Sequence, residues 1–158
     1  SQIGSLFIVF AVISIMLFLI FKSFKVMVIG LIPNIFVASS VMGLLGLLKI
    51  PLDIMTITVA AISVGMAVDN TIHYIYRYKK ELKKTNSIEQ ALENAHTTTG
   101  RAIFYTATTI AAGFCILSLS NFFPTVLFGL FTSLAMVLAF ITSLTVLPNL
   151  LVKYKVFQ

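Results

Sequence analysis

Apolar residues run through this chain in five long stretches, broken by short polar connectors. The first stretch covers about 3–21 and is almost wholly Ile, Leu, Val, Phe and Met; Lys22, Ser23, Phe24 and Lys25 end it. The second covers about 26–48, with Pro33 and Asn34 in its first third and Gly43 and Gly46 near its end. Proline inside a membrane helix removes a backbone bond, which is tolerated only where neighbouring protein covers the break. Gly43 and Gly46 are expected to let another backbone come close. After a short turn, Lys49 to Asp53, the third stretch covers about 54–76. The fourth covers about 102–119, the uncharged connector from Ser120 to Pro124 follows, and the fifth covers about 126–147, with Pro148 after it. Each stretch has the roughly 20 residues that crossing the hydrocarbon core takes. The pattern predicts an all-α, polytopic membrane helix bundle of about five transmembrane helices, forming one domain over 1–158.

The only long hydrophilic segment is the connector 77–101. Its first part, Arg77 to Lys84, is expected to continue the third helix into water. Ser87-Ile88-Glu89-Gln90 reads as a capping box, in which a Ser hydroxyl and a Gln side chain satisfy free amides at a helix start. Ile88, Ala91, Leu92 and Ala95 follow at helical spacing. They predict one short amphipathic cytoplasmic helix lying on the membrane surface, with a solvated connector helix as the alternative.

Composition agrees: 59% of residues are apolar and 10% charged, too little charge to wet the surface of a soluble domain. The net charge of +6 does not point to nucleic acid, because the basic residues sit in connectors. Alternating connectors place Lys22, Lys25, Arg77, Lys79, Lys80, Lys83, Lys84, Arg101, Lys153 and Lys155 on one side. Only Lys49 of the 11 basic residues falls on the other. By the positive-inside rule the N-terminus is then extracytoplasmic and the C-terminus cytoplasmic, in a multi-pass protein of the cytoplasmic (inner) membrane. Tyr74, Tyr76 and Tyr78 fall where the third helix leaves the membrane and read as an aromatic belt. Cys115, the single cysteine, lies in an apolar run and is expected to serve as packing, which excludes an internal disulfide. The chain opens on Ser1 without a signal peptide and is expected to be a segment of a longer protein.

One polar centre stands out, in the second half of the third stretch. Asp69 lies about fifteen residues in, past the midplane, where an acidic side chain costs roughly 2.5–3.5 kcal/mol. Such a residue is expected to be buried against a helix bundle or a water-filled path. A carboxyl group withdrawn from water can take up and release a proton, which a proton-coupled machine requires. The bland reading is a protonated Asp that hydrogen-bonds a neighbouring helix. Gly65, Asp69 and His73 are each four apart and share a face. Gly65 makes room for a neighbour, and His73 could pass protons, pair with Asp69, or simply reach toward interfacial water. Asn70 points about 100° away and suits an interhelical hydrogen bond. On the fourth stretch Thr106, Thr109 and Gly113 share a face that could meet Asp69; alternatively the hydroxyls bond their own helix. No nucleophile–base pair, phosphate-binding glycine loop or metal-ligand spacing is present, so an enzyme, a metal site and a bound cofactor have no residues to stand on.

The run Gly65-Met66-Ala67-Val68-Asp69-Asn70-Thr71-Ile72-His73 resembles the Gly-x-x-Val-Asp-Asp-Thr-Ile-His segment of the resistance–nodulation–division (RND) superfamily. The likeness is greatest to its MMPL-like, sterol-sensing-domain-like exporters. Phe21-Lys22-Ser23, Pro33-Asn34, Thr98 to Ile103, Gly113-Phe114, Phe128-Gly129 and Leu147-Pro148 extend the resemblance along nearly the whole chain. It implies a proton-driven exporter built from two repeats, each with one helix, a large extracytoplasmic domain and five further helices. The chain resembles the last five helices of one repeat, more the C-terminal one. The relay carboxylate carries over to Asp69, supported by Asn70 and His73. Asn70 stands where many members have a second Asp or a Tyr, leaving one titratable group of the two. The implied partners are the lipid bilayer, the other repeat, the extracytoplasmic domain and a hydrophobic substrate, and a homo-oligomer is compatible; the energy source is the proton-motive force. Two other relatives stay open: sterol-sensing lipid-binding regulatory domains, and Sec-type protein-export subunits with a similar Gly-Met-Ala-Val-Asp segment.

Overall fold

The computed structural model describes residues 2–51 and 53–157; Leu52, in the predicted turn after Lys49, lies outside the described residues. The described residues form helices joined by short connectors. Helix α1 is Gln2–Phe21, α2 Phe24–Leu47 and α3 Ile54–Thr85. Helix α4 (Ile88–Ala95) passes through a π turn (His96–Gly100) into α5 (Arg101–Ile116), a short 3₁₀ turn follows (Leu117–Leu119), and α6 is Phe123–Lys153. Because α4 to the 3₁₀ turn form one unbroken rod, five helices among the described residues are long and apolar enough to cross a membrane, as the hydropathy pattern predicts.

Helix α6 is the hub, packing on α2, α3 and α5, whereas α1 rests on α2 and touches α3 only lightly. Helices α3 and α5 both lean on α6 and barely meet each other. The core has two parts. One joins α1, α2, α3, α4 and α6 around Leu17, Val26, Tyr74, Ile75 and Leu147; the other joins α2, α3 and α6 around Val41, Val59, Phe131 and Ala135.

The chain reverses at the two ends in different ways. At Asp53 a reciprocal cap starts α3: its carboxylate accepts from the Thr56 amide at 2.9 Å while its own amide donates to the Thr56 hydroxyl at 2.9 Å. The predicted box at Ser87 is not formed; Ser87 is extended, as a cap should be, but its side chain makes no capping bond. The Thr56 amide holds the Asp53 carboxyl below its ordinary value, since hydrogen bonds to the charged form favour it. A depressed folded value means that the cap stabilises above the unfolded value and fades as pH falls through the folded one. Asp53→Ala is therefore expected to lower the thermal midpoint at neutral pH and not in strong acid. An equal deficit at both pH values would show that charge at the cap is irrelevant.

Helix α3 runs on past Tyr76, as expected, and the segment that follows packs back on it. Asn86, left-handed at φ 50°, turns the chain back, and α4 packs antiparallel on α3 with Ala91 and Ala95 fully buried. Glu81, buried at 5% exposure, fixes the pair: it accepts from Asn94 Nδ2 at 3.1 Å and pairs with Arg77 at 3.2 Å. The buried face of α4 is thus set against α3. Helix α6 likewise continues through Pro148 to Lys153.

Among the described residues, nothing lies within 4 Å of where a Cβ would stand on Gly43, Gly46, Gly65 or Gly113. The close approach is at Gly129 on α6, where a Cβ would sit 2.5 Å from the Phe114 carbonyl oxygen and 2.7 Å from Leu117 Cβ. Cys115 is exposed, not packed inside. Of the three tyrosines read as a belt, only Tyr76 is exposed, while Tyr74 and Tyr78 are fully buried. Their phenols are four apart and share a face with Asn70, whereas Tyr76 points the other way.

Candidate functional site

Asp69 lies fifteen residues beyond Ile54, about 22 Å along α3, and therefore within the hydrocarbon depth of a membrane. It is not buried within this chain. The side chain is 70% exposed and points out of the bundle, because α3 turns its small and buried residues (Ser63, Ala67, Asn70, Tyr74) inward, leaving Gly65, Asp69 and His73 on the opposite stripe. His73, one turn on, places Nε2 3.3 Å from Asp69 Oδ1. Of the roles open to His73, pairing with the carboxylate is the one the geometry contains.

This stripe forms one wall of a cleft of about 330 Å³. Asp69, Asn70 and His73 come from α3, Thr98 and Thr99 from the π turn, and Ala102, Ile103 and Thr106 from α5. The cleft exists because α3 and α5 splay apart on α6. Thr106 shares it without hydrogen-bonding Asp69; Thr109 and Gly113 lie farther along α5, exposed and outside the lining. Asn70 turns inward and is buried, but its Nδ2 finds no acceptor among the described residues, so the expected interhelical hydrogen bond is not made. Asn34, Thr132 and Ser143 also keep unpartnered polar atoms inside the bundle. At membrane depth such groups are costly unless something else satisfies them.

The π turn explains why α5 presents threonines to the cleft. An extra residue in a turn widens the backbone and weakens its ladder. Thr97 answers the Glu93 carbonyl at 3.0 Å and Thr98 the Asn94 carbonyl at 2.6 Å, while Gly100 lets the widened turn approach Leu144. The turn also sends His96 to the opposite side. There its Nε2 lies 3.1 Å from the Leu144 carbonyl oxygen and its Nδ1 2.6 Å from the Tyr74 hydroxyl. A carbonyl only accepts, so Nε2 carries the proton and Nδ1 accepts from Tyr74. Leu144 is four residues before Pro148, whose ring nitrogen cannot donate to it. His96 thus supplies the hydrogen bond that Pro148 withholds and joins α3, the π turn and α6 at one point. Sequence reasoning missed this node. The available signal was Pro148 inside an apolar run, which implies an orphaned carbonyl at Leu144 and hence a donor elsewhere.

At the opposite end, where Lys49 and Asp53 meet Phe123 and Pro124, a more enclosed cavity of about 360 Å³ has an interior of Leu45, Met55, Val59, Leu127, Phe128 and Phe131. The other ten basic residues gather toward the far end, where Tyr154 adjoins Phe24 and Lys25, and Lys79 lies over Phe157.

Comparison with known proteins agrees with this architecture. The model of the MMPL family matches residues 3–154. A putative membrane protein of Methanocaldococcus jannaschii is 34% identical over 110 residues, 70% of this chain and 28% of that protein. The hopanoid transporter HpnN of Rhodopseudomonas palustris is 32% identical over 124 residues, 75% of this chain and 14% of the transporter. HpnN of Burkholderia multivorans is 30% identical over 146 residues, 89% and 16% respectively. The chain therefore spans under a third of the length of these curated relatives. No solved structure matches it. With the family match running through all five long helices, this multi-pass membrane chain belongs to the MMPL family, within the RND superfamily.

Proposed function

We propose that the chain is the membrane half of a proton-driven exporter of lipids or other hydrophobic substrates, with Asp69 as the proton-relay carboxylate. One observation carries the reading: an Asp–His pair at membrane depth, on a stripe that the bundle leaves open. Two ionisable side chains at that depth do not face lipid without cost. The open stripe suits a second helical repeat whose own polar groups would complete the site. Gly65 and Gly113, with free space over them, suit close approach by that repeat. His73 holds the carboxylate, and the threonines of the π turn and Thr106 offer hydroxyls to a protonated or a charged Asp69. With Asn70 in place of a second acid, Asp69 is the one carboxylate of this motif and carries the relay.

The basic end is assigned to the cytoplasm, which sets the N-terminus outside and the C-terminus inside an inner membrane. The relatives named as hopanoid transporters favour a hopanoid-like lipid as cargo. The aromatic-lined cavity at the extracytoplasmic end is apolar enough to take part of such a molecule. The same cavity favours a second reading, a sterol-sensing-type lipid-binding domain without proton coupling. Proton flux in liposomes carrying the full-length protein separates the two. Substrate-dependent flux is expected in the wild type, and Asp69→Asn should reduce flux and export to the level of empty liposomes. Export that survives Asp69→Asn would end the relay reading, and lipid binding without any flux would favour the regulatory one.

A further inference from the structure

At the basic end, α1 and the extension of α3 enclose a second hollow of about 330 Å³. Its polar wall is Lys79, Lys80 and Lys83, its apolar wall Ile20 and Phe21, and Tyr76 stands at its inner edge. Among the described residues none of these lysines has a carboxylate within salt-bridge distance; Glu81, on the same stretch of α3, is buried and taken by Arg77, Lys84 and Asn94. Lys79 is steered by the Phe157 ring, with Nζ 4.9 Å from its centroid.

The depth of the hollow identifies its class of ligand. Tyr76 is 22 residues beyond Ile54, about 33 Å along α3, so Tyr76 and the lysines just past it stand at the level of lipid headgroups. Below the lysines, the exposed side of α1 (Met16, Leu19, Ile20) continues as an apolar track into the hydrocarbon. Three unpaired cations above an apolar track match a molecule with an anionic head and acyl tails. A free phosphate would use the lysines and leave the track without purpose.

We propose that this hollow binds an anionic phospholipid of the adjoining leaflet. Its phosphate is held by Lys79, Lys80 and Lys83, and its acyl chains lie along α1. Bound there, the lipid ties the peripheral α1 to α3, the helix that carries Asp69.

The test uses the purified protein in nanodiscs of phosphatidylcholine with or without phosphatidylglycerol. Lysine acetylation read by mass spectrometry reports protection, and lipid retention is read by native mass spectrometry. Phosphatidylglycerol should protect Lys80 and Lys83 selectively. Lys80→Gln/Lys83→Gln should lower its retention about tenfold, whereas Lys153→Gln/Lys155→Gln, with the same charge removed at the same end, should not. Equal loss in both double variants would reduce the effect to diffuse attraction and overturn the site. No protection would do the same, and so would equal protection by inorganic phosphate in phosphatidylcholine alone.

Discussion

Replacing Gly129 by alanine is expected to loosen α5 from α6 and lower the thermal midpoint by about 5–10 °C, for a cost of about 2–3 kcal/mol. The new Cβ would sit 2.5 Å from the Phe114 carbonyl oxygen and 2.7 Å from Leu117 Cβ. Neither is the free end of a flexible side chain, so one helix has to move. The contacts nearest the clash would suffer first: the Phe114–Phe128 ring pair at 5.7 Å, then the bond from the Ser133 hydroxyl to the Ala111 carbonyl at 3.0 Å. Alanine at Gly113 or Gly65 is the control. Both positions are open, and alanine there should be neutral or slightly stabilising, because glycine weakens a helix by up to about 1 kcal/mol. Melting curves of the detergent-purified variants check this. Equal losses at all three positions would mean that intrinsic helix propensity, not the close approach, governs them. The same controls bear on function: if a second repeat covers the open stripe, Gly65→Leu should leave the chain folded and depress export.

The contrast among these glycines shows what the sequence could reveal and what it could not. Five spans were legible because crossing a bilayer demands length and apolarity, and both are properties of a contiguous segment. Asp69 was legible because a carboxylate among apolar residues is expensive anywhere. Its surroundings were not. A membrane helix is apolar on every side, so periodicity does not tell the face against neighbours from the face toward lipid or another repeat. Asp69 and Asn70 illustrate this: adjacent in sequence, one is open and the other buried. The same ambiguity turned Tyr74 and Tyr78 into belt residues, although only Tyr76 faces outward. The partner of the helix at 88–95 was not legible, because an amphipathic face announces a partner without naming it, and here that face packs on α3. The π turn was beyond reach: its residues, His96-Thr97-Thr98-Thr99-Gly100, would suit an ordinary helix poorly, but only the contacts to Tyr74 and Leu144 make a widened turn worthwhile.

Those contacts give the second large effect. Substituting His96 by alanine is expected to cost about 2–4 kcal/mol, because it strands two groups together. The Tyr74 hydroxyl, fully buried, loses its acceptor at 2.6 Å, and the Leu144 carbonyl loses its donor at 3.1 Å. Neither can turn to water easily at this depth. The helix cannot repair itself, since Pro148 has no N–H to return to Leu144. That relation gives the test its sign. Pro148→Ala restores a backbone donor, so in the His96→Ala background it should recover about 1 kcal/mol beyond its effect in the wild type. The double variant is then more stable than the two single losses predict, a coupling that a double-mutant cycle measures directly. His96→Gln, which keeps a donor near Leu144, should fall between wild type and alanine. Additive losses would show that His96 and Pro148 act on different carbonyls. The consequence reaches the cleft, because the residues that follow His96 in the same turn, Thr98 and Thr99, form its wall opposite Asp69. A change that frees His96 lets the turn rewind toward a regular helix, and rewinding by one residue rotates those threonines by about 100°, away from the carboxylate they face.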